Sequence, residues 1–163
     1  MKKVLFVVAF IFAALLTVNA QDISKHALGV RLGDSGGFGG EISYQHGLSN
    51  NNRLEFDLGY RNHDHFNAFK LSGLYQWVWN IDGGFNWYAG VGAGVGSWSW
   101  KNDYGIGNDD DGIFVNLDAD LGIEYLFDFP LQISLDVRPE FGVVGKYGDD
   151  ADFDIALGLR YRF

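Results

Sequence analysis

The sequence predicts an all-β fold, an eight-stranded antiparallel up-and-down barrel that crosses a membrane. Three observations predict it: apolar and polar residues alternate through most of the chain, an export segment precedes one domain's length of sequence, and short connections alternate with longer ones. Alternation is typical of β-strands, because successive side chains point to opposite faces of a sheet. No segment carries a sustained apolar stripe with the helical period of about 3.6 residues.

The first twenty residues have the features of a secretory signal peptide. A basic "MKK" precedes the apolar run "VLFVVAFIFAALL", and the small-residue sequence "VNA" stands before Gln21. The apolar run is short for a membrane helix and has the flanks of a processing site. We therefore assign residues 1–20 to a cleaved signal peptide and residues 21–163 to one barrel domain. A retained helical anchor is the alternative.

Composition excludes several classes of function. The chain has no cysteine, which removes disulfides, thiol catalysis, thiolate metal sites and a lipoprotein anchor. Removal of the signal segment and its two lysines takes the formal net charge from −9 to −11. So acidic a chain repels nucleic acid.

Each predicted strand has one apolar and one polar face. In "RLEFDLGYR", Leu54, Phe56 and Leu58 alternate with Glu55 and Asp57. The same reading along the chain places the eight strands at residues 26–33, 38–46, 53–61, 68–79, 86–98, 113–127, 131–141 and 152–163. The short connections "LSNNN", "NIDGG" and "DFP" alternate with longer or more polar ones such as "KNDYGIGNDDDG", as in an up-and-down meander.

The stretch "WYAGVGAGVGSW" resembles a phosphate-binding loop at first sight but lacks its spacing. It contains no G-x-G-x-x-G and no glycine–lysine pair. Its glycines occupy the positions that are charged in neighbouring strands. We expect them to leave room for bulky side chains that reach across the barrel, and to ease curvature.

The orientation of the two faces separates a membrane barrel from a soluble one. A soluble barrel turns its apolar face inward, whereas a membrane barrel turns it toward lipid. Aromatic residues cluster at the strand ends, which is typical of membrane interfaces, with Trp77, Trp79, Trp87, Tyr125, Phe127 and Phe129 near the short turns and Phe38, Tyr60, Phe69, Trp98, Phe141 and Phe153 near the other rim. Ten residues at about 3.3 Å each, tilted near 45°, rise roughly 23 Å, the height of the apolar band of such barrels.

The polar face then lines the lumen, where burial of charge requires pairing. We expect an ion-pair and hydrogen-bond network formed by Arg31, Glu41, Arg53, Glu55, Asp57, Lys70, Asp118, Asp120, Glu124, Asp136, Arg138, Glu140, Arg160 and Arg162. The lumen of an eight-stranded barrel is just wide enough for side chains to fill it.

The chain ends in "LGLRYRF", a strand that closes on the aromatic residues Tyr161 and Phe163. With its signal peptide and eight strands, the chain resembles the small OmpA/OmpX-type outer-membrane barrels. The resemblance implies the Gram-negative outer membrane, contact with its lipid and lipopolysaccharide, and a C-terminal signal read by the barrel-assembly machinery, with periplasmic chaperones acting during biogenesis. We expect a monomer with a structural or surface-interaction role.

Two other functions remain open. One is a narrow channel for ions or small solutes, gated by a salt bridge that changes partners. The other is a lipid A-modifying enzyme, which requires a serine, a histidine and an orienting acid within hydrogen-bond reach. None of the four histidines has a serine two residues away in the strand-borne pattern of the known outer-membrane deacylases. Ser24 precedes His26 by two residues, but at the start of the domain. We expect no active site.

No cofactor is expected, and the metal candidates are weak. His63 and His65 lie together in a loop, where two imidazoles seldom suffice to hold zinc. Asp109 and Asp111 lie in "NDDDG", which fails the spacing of a calcium loop. Together with Asp34, Asp103, Asp149, Asp150 and Asp152 they make one rim acidic. A hypothesis is that divalent cations bridge this rim to lipopolysaccharide phosphates; a solvated, repulsive rim is the alternative.

Overall fold

The chain forms a closed barrel of eight antiparallel strands. The computed structural model describes residues 23–33, 39–62, 66–100, 112–145 and 151–163. The strands are β1 (His26–Leu32), β2 (Glu41–Gly47), β3 (Asn52–Asn62), β4 (Phe66–Asp82), β5 (Phe85–Trp100), β6 (Gly112–Leu126), β7 (Leu131–Val144) and β8 (Ala151–Arg162). Each strand pairs with its neighbours in sequence, and β1 pairs with β8 to close the barrel. The predicted fold class is confirmed.

The segment predicted to be the signal peptide lies outside the described residues. The part of the chain that the structure describes contains no helix long and apolar enough to span a bilayer. The short connections at residues 48–51, 83–84 and 127–130 lie at one end of the barrel, which we call the turn rim. The opposite end is the loop rim.

Strand limits differ from the predictions where polar residues or glycines occur. Strand β4 extends to Asp82 and strand β5 begins at Phe85, because Asn80 still pairs with Asn86. A register shift and a turn at Gly83, whose φ is 53°, follow this pair. Polar side chains had suggested a longer connection there. Strand β2 begins at Glu41 rather than at residue 38, and Gly39 and Gly40 precede it outside the ladder. Glycine weakens strands because it has no side chain to pack.

The burial pattern is that of a barrel turned inside out relative to a soluble protein. Large apolar side chains on the outer face are exposed, up to 68% for Phe153 and 67% for Ile155. Charged side chains on the inner face are buried, and Arg138 and Asp57 are 0% exposed. An outer surface of this kind requires a hydrocarbon environment. The arrangement excludes the soluble barrel.

Inner-face glycines make room for large side chains, as the sequence predicted. A Cβ built on Gly96 would lie 2.2 Å from the ring of Phe114, and one on Gly122 would lie 2.4 Å from the ring of Tyr88. A Cβ on Gly94 would lie 2.6 Å from the side-chain oxygen of Asn116. The glycine run of β5 is therefore a packing feature of the lumen.

Aromatic rings line the turn rim on the outer face. Trp79 and Trp87 stack with their ring centroids 4.3 Å apart, and Tyr125 lies 4.8 Å from Phe127 in an edge-on contact. Trp98 departs from the predicted aromatic belt at the loop rim. It lies on the inner face of β5, in phase with Gly96, and packs against Phe114 and Ala68.

The glycine packing predicts that alanine is tolerated differently at two glycines on the paired strands β4 and β5. A Cβ on Gly92 would lie 2.1 Å from the carbonyl oxygen of Gly73, whereas a Cβ on Gly73 would lie 3.5 Å from the ring of Phe56, an ordinary contact. Gly92→Ala is expected to lower the free energy of unfolding by about 1–3 kcal/mol. Gly73→Ala, the matched control, should change it by less than about 0.5 kcal/mol. Urea unfolding in lipid vesicles measures both, and equal stability of the two variants would contradict this packing.

Candidate functional site in the barrel lumen

The inner face concentrates the charged residues of the described strands. Five cationic side chains are buried there: Arg31, Arg53, Lys70, Arg138 and Arg160. Eight carboxylates are buried with them: Glu41, Glu55, Asp57, Asp118, Asp120, Glu124, Asp136 and Asp154. An isolated buried charge costs several kcal/mol, so the contacts among these groups decide whether the lumen is stable.

The guanidinium of Arg31 on β1 contacts carboxylates on three other strands. Its Nη1 lies 3.0 Å from Glu41 of β2 and also binds Asp154 of β8. Its Nε donates to Asp136 of β7 at 3.0 Å. The planar guanidinium has five N–H donors and no acceptor, which suits it to several carboxylates at once.

Arg138 and Arg160 share Glu55. Arg138 Nη2 donates to Glu55 at 3.0 Å and to Asp57 at 2.7 Å, while Arg160 Nη2 donates to the other oxygen of Glu55 at 3.2 Å. Arg138 also lies 3.8 Å from Glu41, the partner of Arg31. Strands β1, β2, β3, β7 and β8 are therefore joined by one continuous set of ion pairs.

A second set of contacts lies toward the turn rim around Arg53. Its Nη1 donates to Glu124 at 2.7 Å and its Nε to Gln76 at 2.6 Å. The guanidinium carbon lies 4.8 Å from the centre of the Tyr88 ring, a cation–π distance. Tyr88 in turn donates to Asp136 at 3.2 Å, which links this set to Arg31.

Four more of the predicted lumen residues, Lys70, Glu140, Asp118 and Asp120, also lie inside the barrel. Their partners are not the arginines described above. Lys70 binds Glu140, which is less buried than the others. Asp118 accepts a hydrogen bond from Asn116, and Asp120 accepts one from Gln76. Amides rather than cations are the side-chain donors to these two carboxylates.

Arg162 differs from the predicted network. It is half-buried at the turn rim and donates to the main-chain carbonyl oxygens of Phe127 and Phe129, the latter at 3.1 Å. It binds the β6–β7 turn because β8 ends there, above the lumen charges. Alternation assigns a residue to a face of the sheet, but it does not show that a residue at a strand end, such as Arg162, lies too far along the axis to contact the lumen charges.

Sequence reasoning missed several members of the network. Asp154 is absent from the predicted network, although its phase with Arg160 on β8 would have indicated it. Gln45 donates to Glu55 at 2.5 Å, and Gln132 donates to Gln45 and to Glu124 at 3.1 and 2.8 Å. Neutral amides on a charged face carry no charge signal, so only their phase could have identified them.

Apolar side chains lie inside the barrel near both ends of the charged network. Trp98 packs against the buried Phe114 and Ala68 toward the loop rim. Ala27, Val78 and Leu126 are buried on the inner face near the turn rim. The network is therefore bounded by apolar side chains along the barrel axis.

The other candidate sites gain no support from the described residues. His63, His65, Asp109 and Asp111 lie outside them, as do Asp34, Asp103, Asp149 and Asp150 of the acidic rim. Within the described ranges, no group of three or more histidine, aspartate or glutamate residues could hold a metal ion. Ser24 and His26 have separate partners: Ser24 Oγ lies 3.5 Å from Arg162, and His26 Nδ1 lies 2.9 Å from Tyr44.

The pairing of Arg138 predicts a large cost for its removal. Arg138→Met keeps most of the side-chain volume but leaves Asp57 and Glu55 with less compensation. The free energy of unfolding in lipid vesicles should fall by about 3–5 kcal/mol. Asp57→Asn in the same chain should restore part of that loss, because it removes one of the stranded charges.

Lys25→Met is the control for Arg138→Met. Lys25 is exposed, and its substitution should change stability by less than about 0.5 kcal/mol. An Arg138→Met barrel as stable as the wild type would show that the lumen charges are not coupled as described.

The fold is similar to that of several solved outer-membrane barrels. No protein-family model matches the chain, and no curated protein matches it. The N-terminal barrel domain of OprF from Pseudomonas aeruginosa is 15% identical, with a TM-score of 0.64, over 88% of this chain and 100% of that one.

Two further solved barrels have the same architecture. Neisserial surface protein A (NspA) is 16% identical, with a TM-score of 0.59, over 85% of this chain and 94% of that one. Ail, the attachment invasion locus protein of Yersinia pestis, is 18% identical, with a TM-score of 0.59, over 86% of this chain and 97% of that one. The chain thus has the fold of the small eight-stranded outer-membrane β-barrels.

Proposed function

We propose that the protein is an outer-membrane barrel with a structural or surface-interaction role and a lumen that does not conduct. The observation that carries the proposal is the continuous set of buried ion pairs around Arg31, Glu55 and Arg138. Solute passage through this lumen would require these pairs to separate in a region bounded by Trp98 and Phe114 on the loop side. Breaking a buried pair costs several kcal/mol.

The exterior supports a place in the outer membrane. Its exposed apolar face and the rings at the turn rim match the lipid band and interfacial girdle of such barrels. With an even number of strands, β1 begins and β8 ends at the turn rim, which we assign to the periplasm. The loop rim then faces the outside, where contact with lipopolysaccharide and with other molecules takes place.

Planar bilayers test the non-conducting lumen directly. The purified barrel should insert without producing steady unit conductance. Arg138→Ala, which removes the side chain between Glu41, Glu55 and Asp57, is the matched variant that should begin to conduct if the ion pairs close the lumen. Steady conductance of the wild type would overturn the proposal.

A narrow cation channel is the second candidate function. Three more carboxylates than cations are buried in the described lumen, and Asp57 and Asp120 each have one carboxylate oxygen that accepts no hydrogen bond. Unit conductance of the wild type, with cations preferred over anions, would support this function. Release of acyl chains from lipid A would instead support an enzyme, and we expect none.

The end of β8 supports recognition by the barrel-assembly machinery. Tyr161 and Phe163 are exposed on its outer face, where a partner can contact them. Phe163→Ala should lower the assembled, heat-modifiable fraction in outer membranes several-fold. Ile155→Ala, on the same strand and similarly exposed, should not. Both variants should fold equally in lipid vesicles without the machinery, and equal assembly in cells would contradict this role of Phe163.

A further inference from the structure

Two histidines face each other on the outer surface, apart from the lumen network. His26 near the start of β1 and His46 near the end of β2 are direct cross-strand partners. Both are half-buried at the turn rim. Directly opposed residues in an antiparallel pair bring their Cβ atoms within about 4.5–5.5 Å, so their side chains must interact.

Two heteroatoms lie close to the same ring nitrogen of His26. The two Nδ1 atoms are 3.3 Å apart, and Tyr44 Oη lies 2.9 Å from the same Nδ1 of His26. A ring nitrogen has either one proton or one lone pair, so His26 Nδ1 is suited to one of these neighbours at a time.

The same separation matches the spacing of two nitrogen ligands on one metal ion. Two nitrogens bound tetrahedrally at about 2.0–2.1 Å from zinc lie about 3.3 Å apart. We infer that His26 and His46 form a two-imidazole chelate for a divalent transition-metal ion, with Tyr44 beside it to hold an ion-bound water. Imidazole nitrogen suits zinc, nickel and copper, and the general order of affinity places Cu²⁺ first.

The surrounding contacts hold the two imidazoles in position. The His26 ring stacks against Phe163 with the centroids 5.4 Å apart, and against Tyr44 at 6.2 Å. Main-chain hydrogen bonds on both sides, from His26 N to Phe163 O at 3.1 Å and from Gly47 N to Lys25 O at 2.9 Å, fix the strands that carry the histidines. A bound ion would therefore join β1 to β2 beside the β1–β8 closure.

Two protein ligands make a weaker site than three. Water or a lipid phosphate at the half-buried rim completes the coordination, so the affinity depends on both imidazoles. Loss of either one should weaken binding by at least about tenfold, which is what even the loss of an outer-shell partner causes.

Titration of the tag-free barrel with Cu²⁺ and with Zn²⁺ tests the inference. The chain has four histidines, so His63→Asn/His65→Asn is the matched control for His26→Asn/His46→Asn. The wild type and the control variant should bind one ion each, Cu²⁺ more tightly. The His26→Asn/His46→Asn variant should lose the site while remaining heat-modifiable on gels, which shows that it is folded.

Two measurements on the wild type do not depend on that variant folding. The paramagnetic resonance spectrum of bound Cu²⁺ should show two imidazole nitrogens, and Zn²⁺ should raise the unfolding temperature. Binding that survives in His26→Asn/His46→Asn, or that disappears in the loop control, would overturn the assignment. The absence of bound metal in the wild type would show that the pair is only a hydrogen-bonded contact.

Discussion

Closure of the β1–β8 ladder is the constraint on which the rest of the structure depends. Hydrocarbon offers no hydrogen-bond partner, so a strand edge exposed to lipid is not tolerated and the sheet must close on itself. Arg31 pairs with Gly158 across this closure, and the ladder extends from Ala27 to Leu32. Closure with eight strands makes a narrow cylinder, and the narrow cylinder determines what its interior can contain.

The interior then has to satisfy two requirements that conflict in a soluble core. It must fill a narrow space, and it must do so with the polar half of an alternating sequence, because the apolar half faces lipid. Arginine meets both requirements, since it is long and its guanidinium reaches carboxylates on several strands. Arg31 and Arg138 each contact carboxylates on other strands, and the shared Glu41 joins them. The glycines opposite the bulky rings provide the space in which these side chains lie.

Alternation predicted the fold and the face of nearly every lumen residue, because a period of two leaves no ambiguity once one face is known. It did not predict the partners. Whether Glu55 binds Arg138, Arg160 or both depends on the stagger between strands and on side-chain length. The alternation within a single strand does not determine the stagger. Trp98 shows the limit most clearly. Its aromatic character indicated the outer belt, but its phase with Gly96 places it inside, and phase is the stronger physical constraint.

The physical constraints on residue type are weakest at the strand ends, so residues there can serve a function more easily. In the middle of each strand the residue types are fixed on both faces, because one face must be apolar for lipid and the other must complete the ion pairs of the lumen. At the turn rim the two environments meet water, so a polar outward residue carries little cost. The outward positions of β1 and β2 illustrate this: Val30 and Ile42 are apolar, whereas His26 and His46 at the rim are not. A polar side chain at a rim therefore disturbs neither the lipid face nor the lumen, whereas in the middle of a strand it would disturb one of them.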